Sequence, residues 1–329
     1  VYGLSRKLYG RVAGVAALFL AALSPNLLAH STLATLDLVT TCTVLVAIVC
    51  LYRYAGSPTV GRMAWTSAAV AVALAVKIQA VLLLPIVVVS LVLAVTRQRG
   101  DEGASLRAMA ASWLLLPVAA VVVINLVYLQ VPFVDGGLLP EPYIDAFRVK
   151  LGHGAGGHFA YLLGRYSGEG WWYYFPLAIV FKTPLPTLLL AGLGLARRPR
   201  VDTMIFVLLP IVLFLGAAMM GQLNIGLRHV LPIYPFLLVT AGAGATRLTA
   251  RGWRRHLLGV LAAAYVAQAL WIAPHHLSYF NLLAGGPGNG HRILLDSNYD
   301  WGQNDRFLER HVARTGRAYQ IDPDPFTPG

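Results

Sequence analysis

The sequence has few of the residues that build disulfide-rich or acidic soluble proteins. It holds two cysteines, Cys42 and Cys50, in one apolar run, and 14 acidic residues against 26 basic ones. Cysteines so placed give no sign of a disulfide framework or a cysteine metal site. Charged residues make up only 12% of the 329 residues, whereas hydrophobic residues make up 57%. This balance excludes an ordinary soluble domain and predicts an all-α polytopic integral membrane protein.

Motifs of several common enzyme classes are also missing from the sequence. It contains no HExxH zinc motif, no Walker phosphate loop, no GxSxG elbow and no CxxC pair. The net charge of +12 could suggest nucleic-acid binding, but the basic residues lie in short clusters between apolar runs. That placement is typical of membrane orientation signals. We therefore expect membrane lipid, and no nucleic acid, as a partner.

Eight long apolar segments organise the chain. They lie at about 12–30, 35–52, 63–95, 108–128, 174–195, 203–219, 230–246 and 257–273. Because about 20 residues cross the hydrocarbon core, seven of them predict one helix each. Segment 63–95 is too long for one span and carries Lys77 near its middle. Two helices there would put all the basic clusters on one side of the membrane, as the positive-inside rule favours.

The sequence therefore predicts nine membrane segments, with the N-terminal end inside and the C-terminal end outside. Inner loops then carry little besides arginine. The outer face receives the polar stretch around Asp37, the turn at Lys77, the loop 130–172, the Arg228–His229 pair and the tail from Pro274. We expect any chemistry at this outer face.

Asp37 and Lys77 are the first candidates for a functional site. A charged side chain inside a membrane is costly, so it is a functional candidate unless a structural role accounts for it. For Asp37 the structural alternative is a carboxylate that stabilises a helix start through the helix dipole. For Lys77 the alternative is an ammonium that reaches to the lipid headgroups.

A second group of candidates flanks four consecutive aromatic residues, Trp171 to Tyr174. Such rings are also typical of a simple interfacial anchor. Lys182 follows about two turns into the next apolar run and would need a carboxylate, a phosphate or a water-filled cavity. Glu169 precedes the aromatics, and its alternative role is plain solvation. Both are candidate substrate-binding residues.

Arg228 and His229 form the third candidate group, at the start of the segment 230–246. An arginine can hold a phosphate through two charge-assisted hydrogen bonds, and a protonated histidine can add another. The alternative is contact with lipid headgroups. The sequence predicts that this pair binds an anionic ligand.

Four blocks carry a resemblance to a known family. They are SPNLLAHSTLATLD, LLGRYSGEGWWYYFPLAIVFKTPLP, NIGLRHVLPIYPF and PHHLSYFNLLAGGPGNGHRILLDSNYDWGQ. Together they resemble the bacterial membrane glycosyltransferases of the GT-C fold that are related to protein O-mannosyltransferases (family 39) and to lipid A aminoarabinose transferases. The resemblance implies a GT-C-like helix bundle with outer-face loops.

The same resemblance implies a function. Such enzymes move a sugar, here a mannose-like hexose, from a polyprenyl-phosphate carrier to a hydroxyl of a protein, lipid or glycan. It implies a bacterial plasma-membrane enzyme with its active face periplasmic or extracellular. The resemblance places the catalytic general base in an acidic loop that would precede Val1, so the chain is expected to be a fragment. Asp37 is expected to support catalysis. No cofactor is assigned; a divalent metal is compatible with the superfamily, but the sequence shows no ligand set.

Two other classes and one domain division complete the expectations. A transporter or flippase of an anionic lipid-linked sugar would also need intramembrane cations, and an inactive structural subunit would lack the acidic loop altogether. Clustering of the charges at one face favours the transferase. We expect a transmembrane domain over 1–274 and an extracytoplasmic segment over 275–329, as the start of a larger outer domain.

Overall fold

The computed structural model describes residues 1–97, 102–134, 137–156, 159–196, 198–249, 252–302 and 305–316. Eight helices cover the first half of the chain: α1 Tyr2–Tyr9, α2 Arg11–Ala22, α3 Pro25–Thr32, α4 Asp37–Gly56, α5 Val60–Val76, α6 Leu83–Arg97, α7 Glu102–Val127 and α8 Glu141–Gly156. Seven follow: α9 Tyr174–Lys182, α10 Leu185–Leu195, α11 Val201–Thr203, α12 Leu209–Met220, α13 Tyr234–Ala245, α14 Trp253–Ile272 and α15 Asp305–Thr315.

Sheet structure in the described residues is limited to one small hairpin. Strands β1 Ala160–Leu162 and β2 Arg165–Ser167 pair antiparallel, with Tyr161 opposite Tyr166. Shorter helical turns complete the elements, at Ile78–Leu82, Met204–Leu208, Leu227–Ile233, Thr246–Leu248, His276–Ser278, Leu282–Ala284, Pro287–Arg292 and Asp296–Asn298. The all-α class expected from the sequence is confirmed.

Five stretches among the described residues are long and apolar enough to cross a membrane, or up to seven if each of two bent pairs counts as one span. The five are Asp37–Gly56, Ile78–Arg97, Val201–Met220, Leu227–Leu248 and Trp253–Ile272. Helix α5 and the part of α7 from Leu114 to Val127 are apolar but shorter. Each expected segment has a helical counterpart, but the count of nine spans is not confirmed.

Prolines explain the two bent pairs. Helices α2 and α3 meet at 49°, with Ser24 capping α3 and Pro25 in its first turn. Helices α9 and α10 meet at 116°, so that 174–195 is not the single helix expected from its apolar run. Thr183 is extended because the following Pro184 disfavours helical backbone at that position. Lys182 is therefore the last residue of a short helix.

The long apolar segment 63–95 breaks at Lys77, as the two-helix interpretation predicts. Helix α5 ends at Val76, and Lys77 has extended backbone. The Lys77 ammonium bonds to Asp37 at the start of α4, whereas Arg62 and Arg97 line one cavity with Arg53 at the other end of α4. Since α4 is about 30 Å long, α5 and α6 run in opposite directions along it.

These contacts define two ends of the bundle. The Asp37 end carries Asp37, Lys77 and Arg228. The arginine end carries Lys7, Arg53, Arg62, Arg97 and Asp202, which line one cavity, and Arg198 and Arg200, which line a second cavity together with Tyr9. Of the expected inner clusters, Arg99, Arg197 and Arg251 lie outside the described residues. The arginine end thus gathers members of four of the five expected inner clusters, and the two-sided topology stays a prediction.

Close packing of small residues holds the bundle together. Helix α10 lies along α13, and a Cβ on Gly194 would meet the Thr240 carbonyl, while one on Gly244 would meet the Leu190 carbonyl. Such contacts let helix backbones approach closely inside a membrane. Almost all of α13 is buried, so it forms the centre of the bundle.

The segment after α14 packs onto the Asp37 end. Phe280 and Leu294 are fully buried in the same hydrophobic core as α4, α9 and α13. Asn281 donates hydrogen bonds from its side chain to the carbonyls of Val180 and Thr183, at 2.6 and 2.8 Å. This segment therefore forms part of the candidate site. The domain division at 274 stays a prediction.

Candidate functional site

An ion pair joins the first two sequence candidates. The Lys77 ammonium donates to the Asp37 carboxylate at 2.6 Å, and only 4% of the Asp37 side chain and 25% of the Lys77 side chain are exposed. Asp37 is held by the start of α4, and Lys77 by the extended break after α5. Helix starts favour a carboxylate. The local structure thus fixes one charge from each of two neighbouring helices.

Arg228 lies close to this pair. Its guanidinium carbon sits 3.9 Å from the centre of the Trp301 ring, a cation–π contact. The guanidinium is half-buried, and its charge is within range of both Asp37 and Asp296. Within the described residues its Nε has no hydrogen-bond partner. Because the Nε itself is buried, an anion would bind Arg228 through the two terminal nitrogens of the guanidinium.

His229 follows Arg228 but serves a different contact. Its backbone carbonyl accepts a hydrogen bond from the Gln79 side chain at 2.7 Å. Its ring lies 6.5 Å from the Phe175 ring, centre to centre. The pair lies in the tight turn Leu227–Ile233, which precedes the regular helix α13. The structure thus ties this turn to Lys77, two residues before Gln79.

Asn298 in the C-terminal segment organises the same region and was not singled out from the sequence. Its side-chain oxygen accepts from the Leu227 amide at 2.9 Å, and its side-chain nitrogen donates to the Tyr174 hydroxyl at 2.7 Å. The first amide of the Arg228 turn is therefore occupied by the protein itself. Any anion bound there must rely on side chains more than on that amide.

Lys182 is buried beneath this segment. Its ammonium donates to the Leu277 carbonyl at 2.8 Å and to the Asn298 carbonyl, and it lies 4.5 Å from the centre of the Phe280 ring. Only 1% of its surface is exposed. In the described part of the chain, backbone carbonyls and no carboxylate compensate its charge. In this arrangement Lys182 anchors the C-terminal segment, and donor binding by Lys182 stays a prediction.

His30 is a second residue that the sequence reasoning did not place in the site. One ring nitrogen, Nδ1, is 2.8 Å from the Asn26 carbonyl. The other, Nε2, is buried without a partner among the described residues. Asp37, Lys182 and Arg228 are all near enough for their charges to act on the ring. Its position in the last turn of α3, seven residues before Asp37, is the signal that could have identified it.

Among the described residues, no hydrogen bond or ion pair joins Glu169 to this cluster. It follows the β1–β2 hairpin and is exposed, and its backbone amide donates to the Ser167 hydroxyl at 3.2 Å. Its substrate-binding role stays a prediction. Groups of three or more possible metal ligands are absent from the described residues. The site is therefore a cluster of cations around one buried carboxylate.

Comparison with known proteins gives one match. Residues 1–128 match the family model of dolichyl-phosphate-mannose-protein mannosyltransferase. No curated protein and no solved structure gives a significant match. The matched part contains His30, Asp37 and Lys77, whereas Arg228 and Lys182 lie beyond it. The match supports the resemblance to membrane mannosyltransferases of the GT-C fold, and with it a glycosyltransferase that uses a sugar linked to a polyprenyl phosphate.

Proposed function

We propose that the protein transfers a mannose-like hexose from a polyprenyl-phosphate carrier to an acceptor hydroxyl at the Asp37 end. One observation carries this proposal above the others. Arg228 is fixed over Trp301 beside the Asp37–Lys77 pair, with donor capacity left for an anion. Lys77 and Arg228 are 151 residues apart in the chain, and the buried Asp37 carboxylate is close enough to act on both charges.

The reaction gives these cations a chemical role. Attack of a hydroxyl on the anomeric carbon breaks the bond to the carrier phosphate, so negative charge grows on the leaving oxygens. Cations fixed near that position stabilise the transition state more than the ground state. Arg228 suits this role because its planar guanidinium can form two bonds to a phosphate. Lys77 supplies a second charge, and its pairing with Asp37 fixes its position.

Asp37 acts in this proposal as an orienting group. Its carboxylate already accepts a short hydrogen bond from Lys77, so removal of the acceptor's proton is not assigned to it. His30 faces the same charges with one ring nitrogen available, and we assign it contact with the sugar or the phosphate. Asn298 and Lys182 position the Arg228 turn and the segment that carries Trp301.

The charge distribution supports an orientation in the membrane. Lys7, Arg53, Arg62 and Arg97 gather at the arginine end, and positive residues favour the cytoplasmic side. We therefore propose that the Asp37 end faces outward, the periplasmic or extracellular side of a bacterial plasma membrane. The acceptor there would be a protein, lipid or glycan. No observation favours the transporter alternative.

A transfer assay on the full-length protein tests the proposal. Purified enzyme would receive labelled sugar on a polyprenyl-phosphate carrier, and transfer and donor affinity would be measured for Arg228→Ala and Arg228→Lys. A lost hydrogen bond to a charged group costs about 1.5–3 kcal/mol, so Arg228→Ala should reduce donor use by roughly 10- to 150-fold. Arg228→Lys should recover part of the loss, because lysine keeps the positive charge but lacks the planar guanidinium that forms two bonds to a phosphate.

Arg255→Ala is the matched control. Arg255 is exposed at the start of α14. Its substitution removes the same kind of side chain at a position outside the candidate site. It should transfer sugar as the unaltered protein does. If Arg228→Ala retains normal donor affinity and turnover while Arg255→Ala also does, Arg228 is only a structural contact with Trp301. No transfer by the unaltered full-length protein would reject the transferase function itself.

A further inference from the structure

A second cluster of cations surrounds a cavity at the arginine end. The cavity has a volume of about 650 Å³ and is lined by Lys7 of α1, Arg53 of α4, Arg62 of α5 and Arg97 of α6, together with Asp202. Four separate helices thus bring four cations to one space, and a fifth, α11, brings the carboxylate of Asp202. This volume is within the range of small-molecule sites, roughly 300–1,000 Å³.

Internal contacts occupy only part of this charge. Arg97 pairs with Asp202 at 2.6 Å, which neutralises both. Arg62 donates to the carbonyls of Ser57 and Arg53, at 2.7 and 3.3 Å, and so covers the exposed C-terminal end of α4. Within the described part of the chain, the charged side-chain groups of Lys7 and Arg53 have no hydrogen-bond or ion-pair partner. The cavity therefore has an excess of positive charge that the protein does not balance.

We propose that this cavity binds the phosphate group of an anionic ligand, either the headgroup of an anionic phospholipid or a soluble phosphate compound. Orientation signals alone need only a surplus of positive residues in the inner loops. They do not require four helices to direct these residues into one cavity. Basic pockets between membrane helices are known to suit anionic lipid headgroups. This site is at the opposite end from the proposed donor site and does not depend on that function.

The depth of the cavity is consistent with the phosphate layer of a membrane. Trp65, in the first two turns of α5, lines the same cavity and has 75% of its surface exposed. An exposed indole is typical of the boundary between hydrocarbon and headgroups. A phosphate at this boundary would lie level with Lys7 and Arg53. A lipid can supply that phosphate from the side, and a soluble compound can supply it from the water.

Thermal unfolding of the full-length protein in a neutral detergent tests the site. The probes are cardiolipin, phosphatidylglycerol, zwitterionic phosphatidylcholine, inorganic phosphate and glycerol 3-phosphate. A ligand that binds only the folded state raises the Tm. We expect an anionic phosphate probe to raise the Tm by about 3 °C more than phosphatidylcholine does. A lipid response assigns the site to a headgroup, and a response to the soluble probes alone assigns it to a soluble phosphate.

Two double variants separate this cavity from general surface charge. Lys7→Gln with Arg53→Gln removes the two unbalanced cations, and Arg254→Gln with Arg255→Gln removes two exposed cations elsewhere. Native mass spectrometry would count bound lipid in each. We expect the first variant to lose the anionic response and the second to keep it. An equal loss in both variants, a full response in the cavity variant, or no anionic response in the unaltered protein would overturn the proposal.

Discussion

Two ion pairs at opposite ends of the bundle have the same length but different surroundings. Lys77–Asp37 and Arg97–Asp202 both measure 2.6 Å. In the first pair, 25% of the Lys77 side chain and 4% of the Asp37 side chain are exposed. In the second pair, the exposed fractions are 34% for Arg97 and 29% for Asp202. A buried carboxylate depends on its partner, whereas solvent and counterions can replace the partner of an exposed one. Distance alone therefore does not rank the two pairs.

The other cations at the two ends show the same difference in burial. At the Asp37 end, Lys182 has two carbonyls and Arg228 has the Trp301 ring. At the arginine end, Lys7 and Arg53 are exposed and unbalanced in the described part of the molecule. Burial requires a partner for each charge, and exposure does not. Protein contacts therefore hold the cations of the Asp37 end in place before any ligand arrives, although Arg228 keeps donor capacity for an anion, whereas Lys7 and Arg53 at the arginine end are held by no such contact in the described residues.

Lys77→Met should give the largest effect on stability. It leaves the Asp37 carboxylate buried without its counter-charge. Breaking a buried pair from one side costs about 3–5 kcal/mol, and the partial exposure of Lys77 places the expected loss near 3 kcal/mol. Unfolding of the purified protein in mixed detergent micelles would measure it. Lys77→Met with Asp37→Leu should recover much of the stability, because both charges are then gone. A single variant as stable as the unaltered protein would show that the pair is not effectively buried.

Lys182→Met should give the next largest effect, and should act on the C-terminal segment. The carbonyls of Leu277 and Asn298 lose their donor, and a buried group left unpaired costs about 1–3 kcal/mol. We expect lower stability and faster proteolysis between residues 275 and 299. Lys7→Met is the control at the arginine end, since Lys7 is exposed and should be neutral. Equal protease resistance in both variants would contradict the anchoring role of Lys182.

Trp301→Leu should have a smaller effect, on ligand affinity more than on stability. The ring restricts the Arg228 guanidinium, and an exposed cation–π contact contributes about 0.5–1 kcal/mol. If Arg228 binds the donor phosphate, donor affinity should fall by roughly 2- to 5-fold. Trp65→Leu changes the same kind of side chain at the other end and should leave donor affinity unchanged. Identical affinities for the two variants would remove Trp301 from the site.

The sequence predicts most helices of this fold because membrane spans depend on local composition. It also predicts the break at Lys77, because segment 63–95 is too long for one span and two helices there put the basic clusters on one side of the membrane. It does not predict the 116° bend between α9 and α10, although Pro184 and Pro186 are visible. Proline marks a possible break, but packing of the two halves against α13 and the C-terminal segment determines its angle.

The candidate site is harder to derive from the sequence because its contacts connect distant residues. Asp37 and Lys77 are both recognisable as intramembrane charges, but 40 residues separate them and their pairing depends on how α4 and α5 pack. Lys182 is recognisable as a costly ammonium, yet its partners are backbone carbonyls, which any residue has. His30 and Asn298 are polar residues of ordinary appearance. Only their burial beside other charges makes them candidates.

Asp202→Asn should have the smallest effect, and it completes the comparison of the two ion pairs. The substitution keeps the size of the side chain and removes its charge, so Arg97 loses an ion-pair partner that was itself accessible to solvent. Exposed pairs contribute about 0–1 kcal/mol, and we expect an unfolding free energy within this range of the unaltered value. Since Asp202 is also the one carboxylate among the described residues that line the cavity at the arginine end, its loss should strengthen the response to an anionic phosphate probe. Asp37→Asn, measured alongside, should instead reduce stability by a larger amount. A loss at Asp202 as large as that at Asp37 would show that the two ends do not differ in burial, and would contradict the division between them.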